Sequence, residues 1–220
     1  MSDCQNDSSS EQRLRLRGKK RTTIAHHLLL HAYGHWLPND PRGSGSGKLR
    51  QEKFDHLGAI HKGRKKVQPS RKELREFSQD AKPFLDFELF WFDAEKRQAI
   101  GNAFAELVEK TGYTVWACAI LKNHVHLCVR RHRDDAVTIW KRFAEASRSA
   151  LLQIDEIDDG HPVWSDRPYK VFLYSPEDIW RTTKYIEQNR VKEGLAAQQW
   201  SFVKEYDNWP FHKKTANKQA

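Results

Sequence analysis

Cysteine is scarce in this chain and no long apolar run is present, and each scarcity closes off a class of protein. The cysteines Cys4, Cys118 and Cys128 are too few and too widely spaced for a disulfide framework or a CxxC zinc site. Cys118 and Cys128 stand in apolar runs and read as small buried hydrophobes in a reducing compartment. No window approaches the roughly 20 apolar residues that cross a bilayer, and the first residues carry no apolar signal region. The expectation is therefore a soluble, cytosolic (cytoplasmic) protein with no membrane partner. The glycine stretches form neither a P-loop nor a dinucleotide fingerprint, and there is no HExxH. Negative charge is also short, with 29 Asp and Glu against 38 Lys and Arg, a net charge of +9 and a pI near 9.5. Such a balance favours a polyanionic partner without saying which one.

What is present suffices for one good-sized domain with extensions: 220 residues, 38% of them hydrophobic, with eight tryptophans. Residues 1–21 begin polar and turn basic through Arg13, Arg15, Arg17, Lys19, Lys20 and Arg21, which predicts a disordered basic arm. The domain then spans residues 22–209, and residues 210–220 read as a frayed tail. Thr23 to Ala32 is a β-leaning apolar run whose alternation puts His27 and His31 on one face and His26 on the other. A turn-rich stretch follows, and residues 37–90 read as a long insertion with a short helix capped by Ser70. Within it, Arg64, Lys65 and Lys66 form a candidate phosphate-facing cluster.

Asp93 caps the most regular helix, whose apolar stripe runs through Ile100, Ala103, Phe104, Leu107 and Val108 to a stop at Gly112. Strands at residues 113–121 and 124–130 form a hairpin around Lys122-Asn123. Asp134 or Asp135 then caps a second helix reaching Ile154, and the segment 163–174 ends in a short strand. Ser175-Pro176-Glu177-Asp178 opens a last helix that runs to about Glu193. Beyond it, residues 200–209 are aromatic and expected to dock on the domain. Four strands and two intervening helices in βαββαβ order predict an α+β, ferredoxin-like (split βαβ, RRM-like) antiparallel sheet with helices on one face. The other face is left open, and it would carry the histidines described next.

His124-Val125-His126 puts two imidazoles on one face of a strand, about 6–7 Å apart at the backbone. Two such neighbours can share a divalent metal ion, because imidazole nitrogen is a common ligand. They can equally line the wet face of a half-buried strand. On the last helix, Ile179, Thr183 and Ile186 form the buried stripe, and Tyr185 and Asn189 lie together beside it, one turn apart. A helical tyrosine alone reads as packing.

The ordered combination of His-x-His on a strand, then a tyrosine with an amide four residues on, resembles the HUH-endonuclease superfamily, specifically its single-tyrosine transposases. AILKNHVHLCV resembles the family's segment around the histidines, and VWSDRPYKVFLYSPEDIWRTTKYIEQNRVKEG its tryptophan-to-tyrosine segment. AYGHWLPNDPRGS is similar to an opening seen in REP-associated and related transposase-like members, so the likeness spans roughly residues 23–195. Arg190 stands where the family usually has proline, and Lys122 where proline is common.

The resemblance implies a metal-dependent DNA endonuclease and strand transferase. Tyr185 would be the nucleophile on a catalytic helix, with His124, His126 and Asn189 as ligands to Mg²⁺ or Mn²⁺. The implied substrate is single-stranded, hairpin-containing DNA, cut through a 5′-phosphotyrosine intermediate and rejoined by a monomer or homodimer. Arg131, Arg133, Lys141, Arg142, Arg148 and Lys184 are candidate phosphate contacts, and Trp36 or Trp164 candidate base-stacking surfaces. Two alternatives remain open at this stage: a domesticated hairpin-DNA binder that does not cut, and a nickase of the replication-initiator type.

Overall fold

The computed structural model describes residues 21–43, 51–154, 157, 160–166 and 168–211. The basic arm up to residue 20 and the tail from residue 212 lie outside the described residues. Four strands form one antiparallel sheet: β1 (Ala25–His31), β2 (Val115–Ile120), β3 (His124–Arg130) and β4 (Tyr169–Leu173), in the spatial order β2-β3-β1-β4. That order, with helices connecting β1 to β2 and β3 to β4, is the expected ferredoxin-like arrangement.

Each α-helix begins at a side-chain cap read from the sequence. Ser70 and Glu73 make a reciprocal capping box for α1 (Arg71–Ala81), which runs further than its sequence expectation. Asp93 accepts from the Lys96 N–H at the start of α2 (Ala94–Thr111), and Gly112 ends that helix in the left-handed conformation, with φ of 72°. Of the two aspartates before α3 (Ala136–Ile154), Asp135 does the capping, accepting from the Thr138 N–H at 2.7 Å. Asp134 instead accepts the Tyr113 hydroxyl proton at 2.6 Å. Ser175 caps α4 (Pro176–Lys192) by accepting from the Asp178 N–H.

The core has two compartments, one on each side of the sheet. On one side α2 and α3 bury Ile100, Phe104, Ile139, Phe143 and Leu151 against Leu28, Leu30, Val125, Leu127 and Val129. The Phe104 and Phe143 rings meet edge to face at 4.8 Å. Burying each such side chain contributes about 1.5–3 kcal/mol. On the other side α4 lays Ile179 and Ile186 over Ala117, Ala119 and Cys128. Small alanines on β2 let the helix come close. The face that the strand count alone leaves open is thus covered by α4 over its β2–β3 half. Its β4 end stays exposed through Tyr169 and Val171.

The segment after α4 protects the β2 edge. Gln198 bonds both the N–H and the carbonyl of Ile120 with its side-chain amide, at 2.9 and 2.6 Å, and Lys204 donates its N–H to the Val115 carbonyl. Trp200 lies flat over Gly101 of α2, where any Cβ would stand 2.1 Å from the indole.

Candidate active site

The register of β1 on β3 gathers four histidines where the sequence singled out two. His31 lies opposite His124, Leu29 opposite His126 and His27 opposite Cys128, so alternation points His27, His31, His124 and His126 to the face under α4. Ring centroids of His124 and His126 are 4.9 Å apart, and those of His31 and His124 are 5.8 Å apart. His27 Nε2 stands 2.9 Å from His126 Nδ1, a hydrogen bond between imidazoles. His26 sits on the opposite face beside Phe172.

α4 is pinned at both ends, and this fixes where its side chains fall. At its start Asp178 accepts from the Tyr174 N–H at the end of β4, and at its finish Glu193 accepts from the Lys122 N–H in the β2–β3 turn. Between these anchors the buried Ile179, Thr183 and Ile186 face the sheet. Tyr185 stays 40% exposed, with its ring edge-on to His126 at 5.6 Å and to His27 at 6.1 Å. One turn on, Asn189 is buried, and its Nδ2 has no hydrogen-bond partner. The tyrosine and the His-x-His strand, distant in sequence, are therefore brought together.

Burial governs the protonation of these rings. It pushes His27 and His124 down to about 4, with Arg42 and His35 adding to the effect at His124. His126 falls well below the ordinary imidazole range through burial and the neighbouring His124, His27 and His31. His31 drops to about 3 through burial first, then His124, Arg42 and His35. At neutral pH the cluster is uncharged, and each ring keeps a free nitrogen lone pair or shares it in a hydrogen bond.

The loop after β1 closes the site on the His31 side. Trp36, at a φ of 67°, stacks on His31 with centroids 5.0 Å apart. The Arg42 guanidinium lies 3.8 Å over that indole and is itself held by two side-chain bonds to the buried Asp40, at 2.8 and 2.6 Å. Gly43 packs backbone to backbone against Gly63, which leaves no space for a Cβ, and Lys65 donates its N–H to the Arg42 carbonyl. The insertion thereby brings Arg64, Lys65 and Lys66 alongside this loop.

Of the other candidate contacts, Lys184 adjoins the tyrosine on α4. Arg131 and Arg133 follow the far end of β3 from His124, and Lys141, Arg142 and Arg148 belong to α3, on the opposite side of the sheet. Arg142 faces Asp134 at 3.6 Å, and Arg148 donates to the His161 carbonyl at 3.2 Å. Trp164 is not a stacking surface: it is 4% exposed, and its indole N–H donates to the Ala144 carbonyl and to Ser147 in the α2–α3 core. Sequence reasoning passed over His27, His31, His35 and Asn123 as site residues. The alternation of HHLLLH placed His27 and His31 on a shared face, and only the β1–β3 pairing shows that this is the face of His124 and His126.

An antiparallel α+β sheet with a His-x-His strand facing a tyrosine-bearing helix defines the class of site. No protein-family model and no curated protein sequence matches the chain. Among solved structures it is similar to a REP-associated tyrosine transposase bound to a REP hairpin, at 12% identity and a TM-score of 0.44, over 84% of this chain and 78% of that one. It is also similar to a proposed transposase from Deinococcus radiodurans R1, at 12% identity and a TM-score of 0.35, over 82% of this chain and 97% of that one.

Proposed function

We propose that the protein is a metal-dependent DNA endonuclease and strand transferase of the single-tyrosine transposase type, acting on single-stranded, hairpin-containing DNA. The observation that carries this reading is the Tyr185 ring beside His126 over a sheet face that holds four neutral histidines.

The residues present suit a divalent cation. His124 and His126 are uncharged nitrogen donors. In this reading Asn189 is the third protein donor, and what supports it is its buried carboxamide, whose nitrogen lacks a partner and which can turn to offer its oxygen. Mixed nitrogen and oxygen ligation suits Mg²⁺ or Mn²⁺, which when bound would polarise a phosphate as a Lewis acid.

The chain's own residues account for the remaining steps. Tyr185, half out of the protein surface, loses its phenolic proton to solvent and its Oη attacks the phosphorus. A Tyr–O–P bond forms, the P–O3′ bond breaks, and the 3′-oxygen leaves and takes up a proton. The 5′-phosphotyrosine conserves the bond energy, so attack by a 3′-hydroxyl in the reverse direction rejoins a strand. Lys184 and the Arg42 and Arg64–Lys66 group supply positive charge at two borders of the site, while Trp36, stacked on His31 and covered by Arg42, holds that border in place.

The test is incubation with hairpin-bearing single-stranded DNA and Mn²⁺, scored as a protein–DNA adduct that survives denaturant. The native chain should form it, chelation should abolish it, and His124→Ala with His126→Ala should do the same. Undiminished cleavage by the double variant would eliminate the metal site.

A further inference from the structure

His124 does not stand alone at the site's edge. It ends a line of hydrogen bonds that joins three segments of the chain. His35 Nε2 lies 3.0 Å from the Phe90 carbonyl oxygen. His35 Nδ1 lies 3.2 Å from the Asn123 amide nitrogen, and the Asn123 amide oxygen lies 2.8 Å from His124 Nδ1.

The line has one self-consistent direction, and the Phe90 carbonyl sets it. A carbonyl oxygen can only accept, so His35 Nε2 carries a proton and donates. In the neutral ring Nδ1 then presents a lone pair and accepts from the Asn123 NH₂. That orients the carboxamide, turning its oxygen to His124. An amide oxygen can only accept, so His124 Nδ1 carries the proton, and the lone pair of the neutral ring is left on Nε2. Reversing any one member sets two lone pairs or two N–H groups face to face somewhere along the line.

We propose that His35 and Asn123 are positioning residues that hold His124 in the tautomer with its proton on Nδ1 and its lone pair on Nε2. The proposal rests on the reading of His124 as a metal ligand, and it specifies which nitrogen meets the metal. Outer hydrogen bonds of this kind fix both the tautomer and the ring angle of a ligating histidine. The scaffold beneath is set by the backbone: Ala32 donates its N–H to the Asn123 carbonyl, Phe90 to Tyr33 and Phe92 to Lys122. The His35 ring is also packed edge-on against Trp91 at 4.4 Å. Side-chain changes at His35 or Asn123 therefore leave the framework in place.

The experiment reads the tautomer in the metal-free protein by long-range ¹H–¹⁵N NMR of the histidine rings, and Mn²⁺ affinity by calorimetry with the metal alone. The native chain should show His124 protonated at Nδ1. Asn123→Ala should lose that signature and bind Mn²⁺ about 10- to 100-fold more weakly. Asn123→Asp, which keeps an acceptor facing His124, should restore the Nδ1–H tautomer. His35→Phe, which keeps the contact with Trp91, should weaken the tautomer preference by freeing the amide to turn. A native His124 protonated at Nε2, or an Asn123→Ala variant with the Nδ1–H signature intact, would overturn the proposal. His124→Ala serves as the control for the underlying reading. If it binds Mn²⁺ as tightly as the native chain, His124 is not a ligand, whichever tautomer the NMR shows.

Discussion

Acid should loosen this fold before it touches the carboxylates, because the sheet face under α4 holds imidazoles that burial keeps neutral. His27, His35 and His124 are pushed down to about 4 and His31 to about 3. In the unfolded chain each returns to the ordinary value near 6.5. The unfolded state therefore binds more protons between these limits, so stability is complete above the upper limit and falls as pH drops toward the lower one. At pH 5 each of the four rings costs about 2 kcal/mol of stability relative to neutral pH. Together that is comparable with the roughly 5–15 kcal/mol that holds a domain folded. The aspartates Asp93, Asp134, Asp135 and Asp178 are lowered by their hydrogen bonds, so they stay ionised at pH 5 and do not enter this window. Urea unfolding at pH 7.5 and pH 5, followed by tryptophan fluorescence, measures the loss. His31→Phe keeps the aromatic stack on Trp36 and removes one titrating ring. That variant should lie within about 1.5 kcal/mol of the native chain at pH 7.5. It should recover about 2 kcal/mol relative to the native chain at pH 5. A native stability that stays flat between the two pH values, or a His31→Phe variant that loses as much as its parent, would refute the assignment of buried neutral histidines.

Three further outcomes follow from the packing. Gly101→Ala drives a Cβ to 2.1 Å from the Trp200 ring, and it should cost about 1–3 kcal/mol in urea unfolding with a red shift of tryptophan emission as Trp200 lifts. Ser175→Ala removes the cap on Asp178 N–H and should lower stability by about 1 kcal/mol, with faster amide exchange confined to the first turn of α4. Trp164→Phe removes the indole N–H that bonds the Ala144 carbonyl and the Ser147 hydroxyl, and because Ser147 still donates to the Phe143 and Ala144 carbonyls it should cost only about 0.5–1.5 kcal/mol while leaving affinity for single-stranded DNA unchanged.

The elements were legible where a local signal sufficed. Ser70, Asp93 and Ser175 announced helix starts that the structure places at those caps, and the Ile179, Thr183 and Ile186 stripe gave the buried side of α4. The order of strands and helices led to the sheet topology because few topologies accept it. What escaped was register. Nothing local to HHLLLH says that His31 lies opposite His124, because that pairing is set by two strands distant in sequence. The same limit hid the Asn123 and His35 contacts, which need the loop after β1 folded back on the β2–β3 turn. It also left Trp164 a candidate base-stacking aromatic, although its indole docks in the core. The basic residues of α3 and Lys184 are alike candidate phosphate contacts in the sequence, yet the sheet lies between them.

The most direct measurement of the central claim is mass spectrometry of the denatured adduct formed with hairpin-bearing single-stranded DNA and Mn²⁺. A nucleotide-bearing peptide should map to α4 with the modification on Tyr185, and Tyr185→Phe should yield none while melting at the native temperature. DNA attached to another residue, or an undiminished adduct from Tyr185→Phe, would contradict the assignment of Tyr185 as the nucleophile.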